Sequence, residues 1–260
     1  MIKKTEGKEF FIGIDLGWRE KKTTGICILE RQENSLFPQK VWQEQCQDIL
    51  GRNVIRKVTP FLKNAKTIVV DAPLTEGRGK GDMRLFEKFF STKSFKEKNV
   101  SPLPPALVPQ FAEFAREIRE KLEERGFVLD RNLIEVSTKM TREICGDNIF
   151  INVLGKALEE ICCTQKRKFK KEKSGVTIRQ KDSLCAVCKT QNQRWALLCA
   201  AIAYLHFVLK TRYIGYKDGF LFLPEMAFWK GEWRRIFYDA WMSRSRFKYH
   251  YLTTNIFNKR

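Results

Sequence analysis

The stretch Phe10-Phe11-Ile12-Gly13-Ile14-Asp15-Leu16-Gly17-Trp18, followed by Thr23-Thr24-Gly25-Ile26-Cys27-Ile28-Leu29, decides the fold. Two aromatic and β-branched runs separated by the charged segment Arg19-Glu20-Lys21-Lys22 read as a β-hairpin whose first strand is buried. Asp15 is the anomaly in that strand. A buried carboxylate is costly unless it meets a metal, a cation or hydrogen-bond donors, and Gly13 and Gly17 beside it let another backbone or a ligand come close. A strand-end Asp can also simply close a turn, so the reading needs a partner. Asp71 supplies one, because Thr67-Ile68-Val69-Val70 runs into Asp71-Ala72-Pro73-Leu74, where proline stops the strand. Two apolar strands that each end in a carboxylate suggest one site, metal-binding or phosphate-facing.

Outward from these strands the pattern alternates helix and strand. Gln39 to Gln45 is a candidate third strand, and Ile49, Leu50, Val54, Ile55, Val58 and Leu62 recur at helical spacing, with Pro60 set to bend or break the end. Just past Asp71, three glycines with Arg78 and Lys80 make a basic loop where α/β sheets hold ligands, although its spacing matches neither a P-loop nor a dinucleotide fingerprint. Met83 to Phe90 reads as a helix. The polar Ser91 to Asn99 segment and the four prolines of Ser101 to Pro109 read as a surface loop or lid. Gln110 to Arg125 is an amphipathic helix with Phe111, Phe114, Ala115, Ile118 and Leu122 on one face, closed by Gly126. A turn at Asp130-Arg131-Asn132 then leads into Leu133-Ile134-Glu135-Val136. Glu135 is a third acid in an apolar strand, readable equally as a salt-bridged edge residue.

Ile151 to Cys163 reads as a helix, followed by a basic run containing Lys166, Arg167, Lys168, Lys170 and Lys171, either a solvated loop or a nucleic-acid contact. Cys162, Cys163, Cys185 and Cys188 raise zinc, but a structural site wants two properly spaced pairs and adjacent cysteines do not supply one. Gln193 to Leu209 is almost continuously apolar, a helix buried on most of its circumference with alanines suited to a sheet, and His206 within it reads as a core residue. Gly219 to Leu223 is a short strand ended by Pro224. The tail mixes Trp229, Trp233, Phe237, Tyr238 and Trp241 with Arg234 and Arg235, which fits either core packing or base stacking with phosphate contact. The expected organisation is one domain over residues 1–225, with a basic insert at 164–190, and an extension over 226–260.

Charge narrows the partners. Lys and Arg number 49 against 30 Asp and Glu, a formal net charge of +19, which attracts polyanions: nucleic acid first, an acidic membrane surface second. The 43% hydrophobic content is that of a folded chain rather than a disordered one. No run approaches the roughly 20 apolar residues of a spanning helix, and Met1-Ile2-Lys3-Lys4 leads into charge rather than a signal peptide's apolar core, so a cytoplasmic protein with reduced, buried cysteines is expected.

The order of these pieces resembles the RNase H-like superfamily, and more closely the predicted nuclease family catalogued as domain of unknown function 429. The matching pieces are Gly13-Ile14-Asp15-Leu16 with Thr24-Gly25-Ile26, Val70-Asp71-Ala72-Pro73-Leu74, Arg78 with Asp82, Ile134-Glu135-Val136, Ala196-Leu197-Leu198-Cys199-Ala200, and Gly219 through Pro224. The resemblance implies an α/β fold with a central mixed sheet flanked by helices, its first three strands antiparallel and two parallel strands added beside the first. It implies a magnesium or manganese site at adjoining strand ends, with Asp15 and Asp71 as ligands and Glu135 as a supporting ligand or water base. The implied function is metal-dependent hydrolysis of phosphodiester bonds in nucleic acid, for which a pair of divalent ions supplies charge neutralisation, an activated water and leaving-group stabilisation. One departure bears on activity: relatives, like the similar RuvC-type junction resolvases, place an acid just before the alanine-rich helix, where this chain has Trp195, and indole cannot bind magnesium. A nucleic-acid-binding protein that does not cut is therefore the alternative. An actin-like ATP-dependent kinase shares the Asp-Leu-Gly opening, but the chain has no second Asp-x-Gly-Thr run for the other phosphate loop.

Overall fold

The first strand is apolar on both faces, so it needs a layer on each side, and that requirement sets the architecture. A computed structural model of the chain describes residues 7–17, 23–33, 35–45, 52–76, 83–98, 100–102, 104–146, 153, 188–244 and 251–257. Strand β1 (Glu9–Asp15) pairs antiparallel with β2 (Thr23–Gln32), and β2 pairs antiparallel with β3 (Ser35–Gln45). On its other edge β1 pairs in parallel with β4 (Ala65–Asp71), which pairs in parallel with β5 (Leu133–Glu135). The result is an α/β fold around a mixed five-stranded sheet in the order β3-β2-β1-β4-β5. The third strand starts at Ser35 rather than Gln39, because pairing runs on past Pro38 through an irregularity opposite Leu29.

Seven helices flank the sheet among the described residues: α1 (Arg52–Leu62), α2 (Leu85–Phe90), α3 (Lys93–Lys96), α4 (Pro109–Glu123), α5 (Thr138–Cys145), α6 (Gln191–Phe207) and α7 (Gly231–Met242). Ile12, Ile14, Ile26, Ile28, Ile68 and Val70 belong to one core with Val54 and Val58 of α1 and Ile118 and Leu122 of α4. Phe11, Cys27, Leu29 and Val69 belong to a second core with α6, so the alternation of a strand sorts the sheet into two buried faces. Residues 196 to 203 of α6 are all buried. That helix rests its backbone on the strands: a Cβ built on Gly13 would stand 2.1 Å from the Ala196 carbonyl oxygen and 2.2 Å from the Ala200 nitrogen, and one on Gly25 would stand 2.2 Å from the Asn192 carbonyl oxygen. Gly13→Ala is therefore expected to push the helix off the sheet and to cost about 3 kcal/mol, the upper part of the usual overpacking range. Urea denaturation of the two proteins measures it; a loss below about 1 kcal/mol would show that the helix can shift freely.

A second, smaller sheet has the order β7-β6-β8, formed by β6 (Thr211–Tyr216), β7 (Gly219–Pro224) and β8 (Thr253–Thr254). The aromatic tail packs as core: Trp229, Trp233 and Phe237 are buried, Phe95 stacks on Trp233 at 6.4 Å and Phe89 meets Phe237 edge-on at 5.6 Å. Two expectations are corrected here. The polar Ser91 to Asn99 segment carries α3 and drives Phe95 into this aromatic core, and the proline-rich segment is an inner wall rather than a surface loop, with Pro102, Pro104 and Pro105 buried. Cys27, Cys145, Cys188 and Cys199 are buried and form no disulfide among the described residues, and burial pushes the Cys145 thiol up to about 12, as expected of reduced packing residues. His206 accepts or donates at both ring nitrogens, to the Thr211 hydroxyl at 2.7 Å and the Arg131 carbonyl at 2.8 Å, a satisfied structural residue whose pKa burial lowers. Among the described residues no helix is long and apolar enough to cross a membrane.

Candidate active site

In the parallel pair of β1 and β4, Asp15 is aligned with Asp71. Neighbouring strands lie about 4.8 Å apart and aligned residues share a face, so the pairing sets two carboxyl groups side by side where the strands end. Asp15 is buried, and its carboxyl is in hydrogen-bond contact with that of Asp71. They form the floor of a cleft of about 570 Å³. Beyond Asp15 the chain is steered by the Gly17 N–H, which donates to the Thr24 hydroxyl at 3.2 Å.

The first turn of α5 meets the pair from one side. Ser137 caps this helix by accepting from the Met140 N–H at 3.4 Å, and the Thr138 hydroxyl donates to Asp71 Oδ2. Burial nevertheless pushes the Asp71 carboxyl up from 3.8 to about 6, against the pull of the Thr138 donors and with help from the nearby charge of Glu135. A carboxyl raised in the fold holds its proton more firmly when folded, so the stability it contributes is complete below about pH 4 and is lost as pH rises towards 6. Asp71→Asn, which removes that charge, is expected to leave stability unchanged at pH 4. At pH 7.5 without added metal it is expected to raise stability by about 1 to 2 kcal/mol, less than a full two-unit shift because the carboxyl keeps some solvent contact. Thermal unfolding of both proteins at the two pH values checks this; an Asn variant less stable at pH 7.5 would contradict it.

Glu135 lines the same cleft, but its geometry is not that of Asp71. It is aligned with Val70, one residue out of step with the carboxylate pair. Both of its oxygens accept from the Arg84 guanidinium at 2.6 Å, and Oε2 also accepts from the Leu74 N–H at 2.8 Å. The acid expected as a supporting ligand or water base is thus held by a buried cation, and its charge acts on the site through Asp71. Arg84 was not legible as a site residue, since it precedes an apolar helix like any capping residue; its burial at 1% exposure is what marks it. Thr138 was also missed, although Ser137-Thr138 directly after the Glu135 strand is a helix-start signal.

Trp195 enters the cleft from the first turns of α6, together with Asn192. Thr190 caps that helix, its hydroxyl accepting from the Gln193 N–H at 3.3 Å while Gln193 Oε1 accepts from the Thr190 N–H at 3.1 Å. The cleft therefore brings together Asp15, Asp71, Glu135 and Trp195. It does not bring in Arg234 or Arg235, which are exposed on α7; Arg234 donates to the carbonyls of Trp229 and Ala227. Arg78, Lys80, Lys166, Arg167, Lys168, Lys170 and Lys171 lie outside the described residues, as do Cys162, Cys163 and Cys185, while Cys188 donates its thiol to the Gln193 carbonyl.

Two adjoining carboxylates suit a magnesium-type ion, which keeps several waters and is bound through one or two carboxylates together with substrate phosphates. The raised carboxyl of Asp71 fits this, since a cation would relieve the cost of its ionisation. Among the described residues no group of three or more His, Cys, Asp or Glu is arranged to hold an ion. Compared with known protein families the chain matches none. It matches no curated protein either.

Proposed function

We propose that the chain is an RNase H-like, metal-dependent nuclease that hydrolyses phosphodiester bonds of nucleic acid at the Asp15 and Asp71 pair. The observation that carries this reading is the alignment of the two carboxylates on adjacent parallel strands at the floor of a cleft. The strand order β3-β2-β1-β4-β5, with its antiparallel half and its parallel half, is the arrangement the resemblance implies, and the net charge of +19 suits a polyanion. Asp15 and Asp71 would hold magnesium or manganese, which when bound supplies the Lewis acidity and the activated water of phosphodiester hydrolysis. The protein's own part is positional. Thr138 fixes the rotamer of Asp71, and the Gly17 to Thr24 contact fixes the chain after Asp15.

A second reading, a nucleic-acid-binding protein that does not cut, is favoured by the indole of Trp195 in the cleft and by the engagement of Glu135 with Arg84. One assay separates them. Purified protein is incubated with labelled DNA and RNA strands in magnesium, in manganese and in chelator. Under the nuclease reading, products appear with either metal, vanish with chelator and vanish in Asp15→Asn. Binding without products under any metal supports the second reading, and absence of binding removes both. In either case affinity is expected to fall steeply with salt, with a log-log slope near 0.9 per neutralised phosphate on duplex DNA.

A further inference from the structure

Trp195 differs from the other described tryptophans in its surroundings: it is half-buried and lines the cleft. Trp42 meets Phe61 and lies under the Lys57 ammonium, and Trp233 stacks on Phe95. Trp229 donates to the Pro224 carbonyl at 2.7 Å and abuts Phe237, while Trp241 stacks on Phe237 and carries the Arg244 guanidinium 4.0 Å above its ring. Among the described residues Trp195 has no ring neighbour, cation or hydrogen-bond partner, and it lines the cleft with the two carboxylates. An indole usually finds a partner for its N–H when it is used to fill a core. The one here lines a cleft and finds no such partner among the described residues.

The cleft has two chemically different parts. One part holds the acidic pair with the polar Ser137, Thr138, Lys139 and Asn192; the other is an apolar stretch of Pro102, Pro104, Leu107 and Phe111, with Leu107 72% exposed. At about 570 Å³ it falls within the roughly 300 to 1,000 Å³ that holds one small-molecule-sized unit, the scale of a nucleotide rather than of a double helix. A base inside a duplex has both faces covered by its neighbours, so only an unpaired base offers a face to an aromatic ring.

We infer that Trp195 and the apolar wall form a base-binding subsite, and that the substrate class is single-stranded nucleic acid, or a frayed end, with one base stacked on the indole and the adjoining phosphate over Asp15 and Asp71. This rests on the nucleic-acid reading above and adds to it the strandedness of the substrate. The charge of the chain draws in any polyanion, whereas the indole selects those with exposed bases.

The test measures binding by fluorescence anisotropy of an end-labelled eight-nucleotide thymidine strand and of a blunt duplex of equal length, with calcium replacing magnesium. The strand is expected to bind at least about tenfold more tightly than the duplex. Trp195→Ala is expected to weaken strand binding roughly tenfold without changing duplex binding, and Trp195→Phe, which keeps a stacking face, to stay close to wild type. A strand carrying iodouracil, irradiated on the wild-type protein, is expected to crosslink to the peptide that contains Trp195; this arm decides the matter if Trp195→Ala does not fold. Unchanged strand affinity in a folded Trp195→Ala, equal affinity for strand and duplex, or crosslinking confined to the Tyr238 to Trp241 face of α7 would each overturn the subsite while leaving the metal-site reading standing. Failure to bind either probe would overturn both.

Discussion

Arg84→Met is expected to destabilise the protein by about 3 to 5 kcal/mol, the cost of breaking a buried ion pair by removing one partner. The guanidinium is 1% exposed and holds two acids at once: Glu135 through both terminal nitrogens at 2.6 Å, and Glu87 through Nε at 2.8 Å. It also donates to the Thr75 hydroxyl at 3.0 Å, and Thr75 in turn donates to the Asp218 carbonyl at 3.0 Å. The Asp218 carboxylate accepts from the Leu85 N–H at 2.9 Å. One cation thus ties β5, the chain leaving β4 and the turn between β6 and β7 into a unit. Without it, two buried carboxylates lose their counter-charge. Burial already pushes Glu87 up from 4.5 to about 7 despite the opposing pull of Arg84, so protonation offers the variant its only relief. A raised acid contributes stability that is lost as pH rises, and the loss in Arg84→Met is therefore expected to be larger at pH 8 than at pH 5. Arg84→Lys is not expected to rescue it, because a point charge cannot reproduce the fork that meets both oxygens of Glu135. Urea unfolding at the two pH values measures this, and a variant within about 1 kcal/mol of wild type at pH 8 would remove the network from the account.

Trp195→Asp is expected to raise metal-dependent hydrolysis by at least about tenfold, the lower end of what even the outer contacts of a metal site are worth. Trp195 occupies the place where the resemblance puts a further acid, and it lines the same cleft as Asp15 and Asp71. A carboxylate there adds a hard oxygen, and the N-terminal end of α6 favours its negative charge. The same change removes the stacking surface, so kcat and KM are both expected to rise for a single-stranded substrate. The gain must disappear in the double variant with Asp15→Asn. A folded Trp195→Asp with no gain in manganese affinity, or wild-type cleavage already robust and dependent on Asp15, would show that Trp195 does not limit the reaction. Folding is checked alongside, since Trp195 is half-buried and the loss of a fully buried aromatic would cost about 3 to 5 kcal/mol.

The carboxylate pair was legible because two β-branched runs each ended in Asp, and the strand period then leaves only the pairing to be found. Periodicity could not show that β4 lies parallel to β1 with Asp71 opposite Asp15; the resemblance implied the parallel placement, and the register depends on the crossover through α1, a long-range contact. Glu135 was legible as an acid in a strand, but its one-residue offset from Asp71 and its bond to Arg84 arise from tertiary register and from a cation 51 positions away. Strand β6 was missed because Thr211-Arg212-Tyr213 mixes polar groups into a pattern that becomes apolar only against Phe220 and Phe222. Phe95 was hidden by the lysines around it, and the buried prolines by the habit of reading proline as surface punctuation. Gly13 was read as a place of close approach, which it is, with the backbone of α6 as the visitor.

Anomalous scattering from crystals soaked in manganese tests the central claim most directly. The account predicts a peak within bonding distance of carboxylate oxygens from both Asp15 and Asp71 in the wild type, and its loss in crystals of folded Asp15→Asn. Manganese bound elsewhere in the chain, or density at the pair that persists in both Asp15→Asn and Asp71→Asn, would contradict it.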